Sequence, residues 1–190
     1  MNFSLIVTDS GPLVTLAIAE SLDALFLLNL PVIVPDMVRH EVIQDLSKPG
    51  ASLVAEWIRN NDPHRLTVGP TEIYEEFMLL RSMNPATKTK NRGEQAAAEV
   101  LARGLEGKDF GAVLLFEDSA VRKTNFLTRL PDCVVVTSTS EFLFGLEGRG
   151  LLQNAQTILD RAVDVRGNEI LVRYQMSGRS NLAEKVWVTI

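Results

Sequence analysis

The sequence predicts an α/β fold, a three-layer α/β/α sandwich in which helices cover both faces of a central, mainly parallel sheet. Short apolar runs rich in β-branched residues alternate along the 190 residues with longer segments of helical periodicity, and this alternation is typical of parallel sheets. The composition, 46% hydrophobic and 23% charged, excludes a disordered or fibrous chain. The length suits one domain with a small extension.

The first half of the chain opens with a strand–helix pair. Phe3–Thr8 is rich in β-formers and stops at Asp9-Ser10-Gly11-Pro12, where proline suits the first turn of a helix. Apolar residues then recur at helical spacing as far as Phe26. The elements predicted after it are a strand at Val32–Val34, helices at Met37–Leu46 and Ser52–Asn60, and a brief strand at Leu66–Val68.

The second half continues the alternation. The helix predicted at Thr71–Met83 is followed by a polar loop at Asn84–Gly93. The helices predicted after the loop are Glu94–Leu105, Ser119–Leu127, Ser140–Leu146 and Leu151–Ala162. Between them lie the predicted strands Ala112–Phe116 and Val134–Val136. Residues 1–162 therefore form the predicted domain. Residues 163–190 form an extension, with two strands at Glu169–Tyr174 and Lys185–Ile190 predicted as a hairpin.

The charge and the terminal segments narrow the functional classes. With 24 acidic and 19 basic side chains, the net charge of −5 argues against a protein that grips nucleic acid by bulk charge alone. One cysteine excludes an intrachain disulfide, and two histidines disfavour a multi-histidine metal site. The sequence shows neither a signal peptide nor a membrane span, so we expect a cytoplasmic protein.

Carboxylates cluster where the predicted strands end. Asp9, Glu117 and Asp118 directly follow strands, while Glu41 and Glu94 lie on or beside the apolar stripes of helices. In open α/β sheets, ligands bind beyond the carboxyl ends of the strands. Converging carboxylates repel one another unless a cation is bound, and all-oxygen ligation favours Mg²⁺ or Mn²⁺.

Each of these acids also has a purely structural interpretation. Asp9 and Asp118 suit helix N-caps, Glu94 suits the first turn of a helix, and Glu41 suits a solvated helix face. Of the adjacent pair Glu117 and Asp118, only one needs to face a shared site, because neighbouring residues point in different directions.

Four stretches together resemble the motifs of the PIN-domain family. Val7–Val14 is similar to its opening, in which an Asp and a small hydroxyl residue end the first strand. Pro35–Val42 resembles the second motif, a proline before a helix that carries a Glu. Arg92–Ala98 resembles the third, an acid opening an alanine-rich helix, and Leu114–Arg122 resembles the fourth. The likeness covers about residues 3–150.

The resemblance implies a metal-dependent ribonuclease, similar to the toxins of type II toxin–antitoxin pairs. It implies Asp9, Glu41, Glu94 and Asp118 as the acidic quartet. Asp9, Glu94 and Asp118 would hold Mg²⁺ or Mn²⁺, which lowers the pKa of a bound water, while Glu41 would complete the shell or orient that water. The implied supporting residues are Ser10, Glu117 and Thr139.

An RNA substrate still needs cations around the acidic site. The predicted substrate-binding residues are Lys88, Lys90, Arg92, Arg122 and Lys123. They flank the predicted quartet, so a local basic rim can offset the negative net charge. The alternative is a solvated loop, which short charged runs usually form.

Two further functional hypotheses remain open. The first is a catalytically silent PIN-like module that binds RNA or a protein. The second is a phosphotransferase with Asp9 as nucleophile, which would need a lysine at a strand end that the sequence lacks. The resemblance also implies an antitoxin protein as a partner. A homodimer is common in similar proteins, and the C-terminal hairpin could support one by edge pairing.

Overall fold

Strands and helices alternate along the chain, so the predicted mixed α/β class is confirmed. The computed structural model describes residues 2–7, 9–106, 110–117 and 133–166. The strands are β1 (Asn2–Val7), β2 (Val32–Pro35), β3 (Leu66–Gly69), β4 (Phe110–Phe116) and β5 (Val134–Ser138). They form one sheet in the order β3-β2-β1-β4-β5, and every neighbouring pair is parallel.

Seven α-helices are described, together with a 3₁₀ helix at Leu22–Phe26. They are α1 (Ser10–Ile18), α2 (Asp36–Ile43), α3 (Ala51–Asn61), α4 (Glu72–Met83), α5 (Arg92–Leu105), α6 (Thr139–Gly148) and α7 (Ala155–Arg166). The 3₁₀ helix replaces the end of the longer helical segment that the apolar spacing predicts. The predicted helix Ser119–Leu127 and both strands of the C-terminal extension lie outside the described residues.

Successive residues of β4 pack into two different clusters. Val113 and Leu115 belong to a large core cluster with residues of α1, α3, α6 and α7. Ala112 and Leu114 belong to a smaller cluster with residues of α5. The alternation follows from the two-residue repeat of a strand, and each large side chain buried in this way stabilises the fold by about 1.5–3 kcal/mol.

The parallel register aligns the carboxyl ends of three neighbouring strands. Val7 of β1 pairs with Leu115 of β4, and Phe116 of β4 pairs with Ser138 of β5. The residues that follow these strands therefore meet at one edge of the sheet, which is where open α/β sheets bind ligands. No helix in the described part of the chain is long and apolar enough to span a membrane.

Candidate functional site

Asp9 stands between the end of β1 and the start of α1. It occupies the N-cap position in an extended conformation, yet its side chain makes no capping hydrogen bond to the helix. The Oγ of Ser10 instead donates a hydrogen bond to Asp9 Oδ1 at 3.3 Å. The side chain of Asp9 therefore does not cap the helix, and Ser10, predicted as a supporting residue, hydrogen-bonds to it.

Glu41 and Glu94 come from two helices that pack against each other, α2 and α5. Burial raises the pKa of Glu41 to about 7, with further increases from the charges of Asp9 and Glu94. A hydrogen bond from the backbone of Gly93, in the first turn of α5, partly offsets the rise. The shift shows that Glu41 shares the field of two other carboxylates, so the structure brings these three predicted residues together.

Gly11 shows how closely a fourth carboxylate approaches. A Cβ built on Gly11 would lie 2.8 Å from Glu117 Oε2 and 3.2 Å from Asp9 Oδ2. Glu117 directly follows β4, and only 7% of it is exposed. A glycine at position 11 thus leaves room for two acidic side chains. We call Asp9, Glu41, Glu94 and Glu117 the acidic cluster.

Of the two acids that follow β4, the structure describes Glu117. Glu117, predicted as a supporting residue, approaches the same point beside Gly11 as Asp9 does. Asp118, predicted as a metal ligand and catalytic residue, lies outside the described residues. Its role therefore stays a prediction.

Thr139 is buried at the same edge of the sheet, as the first residue of α6. Its Oγ1 has no hydrogen-bond partner among the residues the structure describes. The neighbouring Ser138 is satisfied by a capping box with Glu141. A buried hydroxyl without a partner costs free energy, so Thr139 is suited to a ligand or water at this edge.

The chemistry of these groups fits a hard divalent cation. The donors are oxygens, and the pKa of Glu41 is raised first by burial and then by the charges of Asp9 and Glu94, which a cation would offset. Within the described ranges, however, no group of three or more His, Cys, Asp or Glu side chains is placed to hold an ion as it stands. One of the three predicted metal ligands, Asp118, falls outside those ranges.

The predicted basic residues occupy different environments. Lys88 and Lys90 are exposed in the loop before α5. Arg92 is the first residue of α5; its side chain is 18% exposed, and its Nη1 lies 3.8 Å from Glu76 Oε1. Arg122 and Lys123 lie outside the described residues.

A second group beside the acidic cluster was missed from the sequence. His40 in α2 contacts Tyr74, Phe77 and Arg81, which line one side of α4. Their spacing on α4, three and then four residues, was a signal for a shared helix face. The sequence did not show that this face packs against the residue preceding Glu41.

No protein-family model matches the chain, and no curated protein matches its sequence.

Proposed function

We propose that this protein is a metal-dependent ribonuclease of the PIN type, with its active site at the acidic cluster. The observation that carries the proposal is the convergence of carboxylates from β1, α2, α5 and β4 at one edge of a parallel sheet. Two of them, Asp9 and Glu117, approach the same point beside Gly11. Like charges are not gathered in this way for stability, because each raises the cost of the others.

The strand order supports the finer fold assignment. The acids Asp9 and Glu117 follow β1 and β4, which are neighbours at the centre of the order β3-β2-β1-β4-β5. The connection leaves β1 towards β2 and later returns to β4 on the other side, which makes this edge a topological switch point. We propose that the complete domain is the three-layer α/β/α sandwich expected of a PIN-like protein.

In this proposal Asp9, Glu94 and Asp118 would hold Mg²⁺ or Mn²⁺, and Glu117 would contribute either directly or through a hydrogen bond. An ion held there would supply polarisation of the scissile phosphate and a lowered pKa for a water. Glu41 would accept a hydrogen bond from a water and orient it for in-line attack. Ser10 keeps Asp9 in position through its hydrogen bond to Oδ1. The products are a 5′-phosphate and a 3′-hydroxyl.

Cleavage of an end-labelled RNA tests this proposal. We expect cleavage with Mg²⁺ or Mn²⁺, none with EDTA, and 5′-phosphate ends on the products. Asp9→Asn should abolish the cleavage while the circular dichroism spectrum and melting temperature stay close to those of the wild type. Glu56→Gln, an equal charge change on an exposed face of α3, is the matched control and should cleave normally. Wild-type cleavage by Asp9→Asn would refute the proposed active site.

A silent PIN-like binding module is the second candidate function. The observation that favours it is that no described group is placed to hold an ion without rearrangement. Mn²⁺ titration followed by calorimetry separates the two functions, because the enzyme requires binding that Asp9→Asn weakens. RNA binding with no Mn²⁺ binding and no cleavage would favour the silent module.

Three further elements of the proposal concern biology rather than chemistry. By the same resemblance, we propose a toxin role, an antitoxin protein as partner and a homodimeric state. Expression should then inhibit growth, and Asp9→Asn should relieve the inhibition if RNA cleavage causes it. Growth inhibition that is unchanged in Asp9→Asn would contradict the toxin role.

A further inference from the structure

A partly buried arginine outside the acidic cluster is held by a neutral partner. Arg81 Nη1 in α4 lies 2.8 Å from His40 Nε2 in α2. A guanidinium only donates hydrogen bonds, so His40 accepts this one and carries its proton on Nδ1. Arg81 forms no salt bridge with any described residue.

Aromatic rings lie beside this arginine and its histidine partner. The ring of His40 lies 5.5 Å from that of Tyr74 and 5.2 Å from that of Phe77, measured between centroids. Arg81 and Arg92 both lie over the Phe77 ring, at 5.7 and 5.5 Å. Phe77 is fully buried, whereas the other four residues are partly exposed. We call His40, Tyr74, Phe77, Arg81 and Arg92 the aromatic–arginine cluster.

Positive charge in this cluster is poorly compensated. Arg39, exposed on α2 and directly preceding His40, adds a third guanidinium. Glu76 is the one acid that pairs with these arginines in the described residues, and its contact with Arg92 is long and largely exposed. Such pairs contribute little, so most of the positive charge stays available to an anion. A partly buried guanidinium without a carboxylate is costly unless an anionic ligand binds it.

The cluster adjoins the acidic cluster through two shared helices. On α2, His40 immediately precedes Glu41, and on α5, Arg92 precedes Glu94 by two residues. A polyanion with one phosphate at the carboxylates would therefore bring a neighbouring phosphate or base to the arginines. The backbone of Gly93, which lies between Arg92 and Glu94, hydrogen-bonds to Glu41, so the two clusters lie close together.

We propose that the aromatic–arginine cluster binds single-stranded RNA next to the phosphate that is cut. Arg81 and Arg92 hold a backbone phosphate, and the exposed parts of Tyr74 and His40 stack against an unpaired base. Guanidinium groups beside aromatic faces are the combination that single strands require, because a base stacked within a duplex cannot reach such faces. The inference deepens the proposed function and rests on it.

Fluorescence anisotropy with a labelled single-stranded RNA decamer tests the inference. All variants carry Asp9→Asn in the full-length chain, so that RNA is bound in the presence of Mg²⁺ without being cut. Arg81→Gln removes the charge and keeps a donor for His40. We expect it to raise the Kd about 5- to 10-fold and to reduce the slope of log Kd against log salt concentration by about one. Tyr74→Leu keeps an apolar side chain and should raise the Kd about 5-fold or more.

Two controls keep the test independent of folding. Arg161→Ala removes an equal charge from an exposed position on α7, a helix that belongs to the large core cluster, and should leave the Kd unchanged. If Arg81→Gln lowers the melting temperature sharply, Arg81→Lys replaces it. Lysine keeps the charge but not the planar fork, so the salt slope should survive while the affinity falls.

The outcomes separate this inference from the proposed function. Loss of affinity in Arg81→Gln and Tyr74→Leu, with duplex RNA competing poorly, supports the cluster as a single-strand site. Unchanged affinity and salt slope in these variants, with RNA cleavage by the wild type intact, would overturn the inference alone. Equal competition by duplex RNA would overturn the stacking role. A wild type that neither binds nor cuts RNA would refute both proposals.

Discussion

The carboxylate of Asp36 accepts two hydrogen bonds from Thr71, one from its hydroxyl at 2.6 Å and one from its backbone amide at 2.9 Å. Asp36 also accepts a hydrogen bond from the amide of Met37. Thr71 is buried and caps α4 by accepting a hydrogen bond from the Tyr74 amide. This pair therefore ties the start of α2, which carries Glu41, to the start of α4, which carries Arg81.

Replacing Asp36 tests that link. Asp36→Ala removes all three acceptor contacts and leaves the buried Thr71 without its main partner, so we expect the free energy of unfolding to fall by about 2–4 kcal/mol. Urea denaturation measures the loss. Asp45→Ala is the control, since the side-chain hydrogen bonds of Asp45 go to Ser47 within its own exposed turn. An equal effect of the two substitutions would contradict the structural role of Asp36.

The sequence predicts the strands and most helices because their signals are local. Apolar β-branched runs mark β1, β2, β4 and β5, and helical periodicity marks most of the helices. The buried face of α3 did not follow from the sequence: Leu53 is 45% exposed, whereas the next residue, Val54, is buried. The face that a helix buries depends on the elements that pack against it. A short apolar stripe in the sequence does not reveal a rotation of the helix by one residue.

Contacts between distant elements could not be predicted from local signals. Asp36 and Thr71 are 35 residues apart, and His40 and Arg81 are 41 apart. Both pairs depend on how α2 packs beside α4. For the acid after β4, local signals do not show that Glu117 and Asp9 approach the same point beside Gly11.

Gly11 offers a steric test of the acidic cluster. In Gly11→Ala the new Cβ would lie 2.8 Å from Glu117 Oε2 and 2.9 Å from Glu117 Cβ, closer than van der Waals contact allows. We expect a loss of about 1–3 kcal/mol in the free energy of unfolding and a large loss of RNA cleavage. Differential scanning fluorimetry and the cleavage assay measure the two effects.

Gly148→Ala provides the control for that substitution, because no described atom lies within 4 Å of its added Cβ. We expect no loss of stability there. The double variant Gly11→Ala/Glu117→Ala should be more stable than the sum of its single effects, because the second change removes the side chain that clashes. Strict additivity would show that Glu117 is not the residue that the alanine meets.

Glu41 predicts a specific dependence of stability on pH. Its pKa is about 7 in the folded protein against 4.5 as the ordinary value, so the folded state binds its proton more tightly than the unfolded state does. The contribution of Glu41 to stability is therefore present in full below about pH 4.5 and is lost as the pH rises through about 7. Above pH 7 the charged carboxylate destabilises the fold.

Glu41→Gln removes this dependence of stability on pH. We expect the variant to match the wild type near pH 4 and to exceed it by about 1–3 kcal/mol at pH 8, a range reduced for the partial exposure of Glu41. Denaturation at both pH values gives the difference, and adding Mg²⁺ at pH 8 should narrow it by neutralising the wild-type cluster. A difference independent of pH would contradict the raised pKa of Glu41.

The variant Glu117→Gln tests whether the buried carboxylate after β4 serves function or stability. If it served only stability, Glu117→Gln would lower the melting temperature and leave the cleavage of the remaining folded protein unchanged. Our proposal gives the opposite result. Neutralising a nearly buried acid beside Asp9 removes repulsion, so the metal-free melting temperature should stay equal or rise. RNA cleavage should fall about 100-fold or more, with weaker Mn²⁺ binding.

Asp118→Asn, measured in parallel, should also abolish cleavage if both acids after β4 contribute. Normal cleavage by Glu117→Gln at a reduced melting temperature would leave the metal site to Asp9, Glu94 and Asp118 alone.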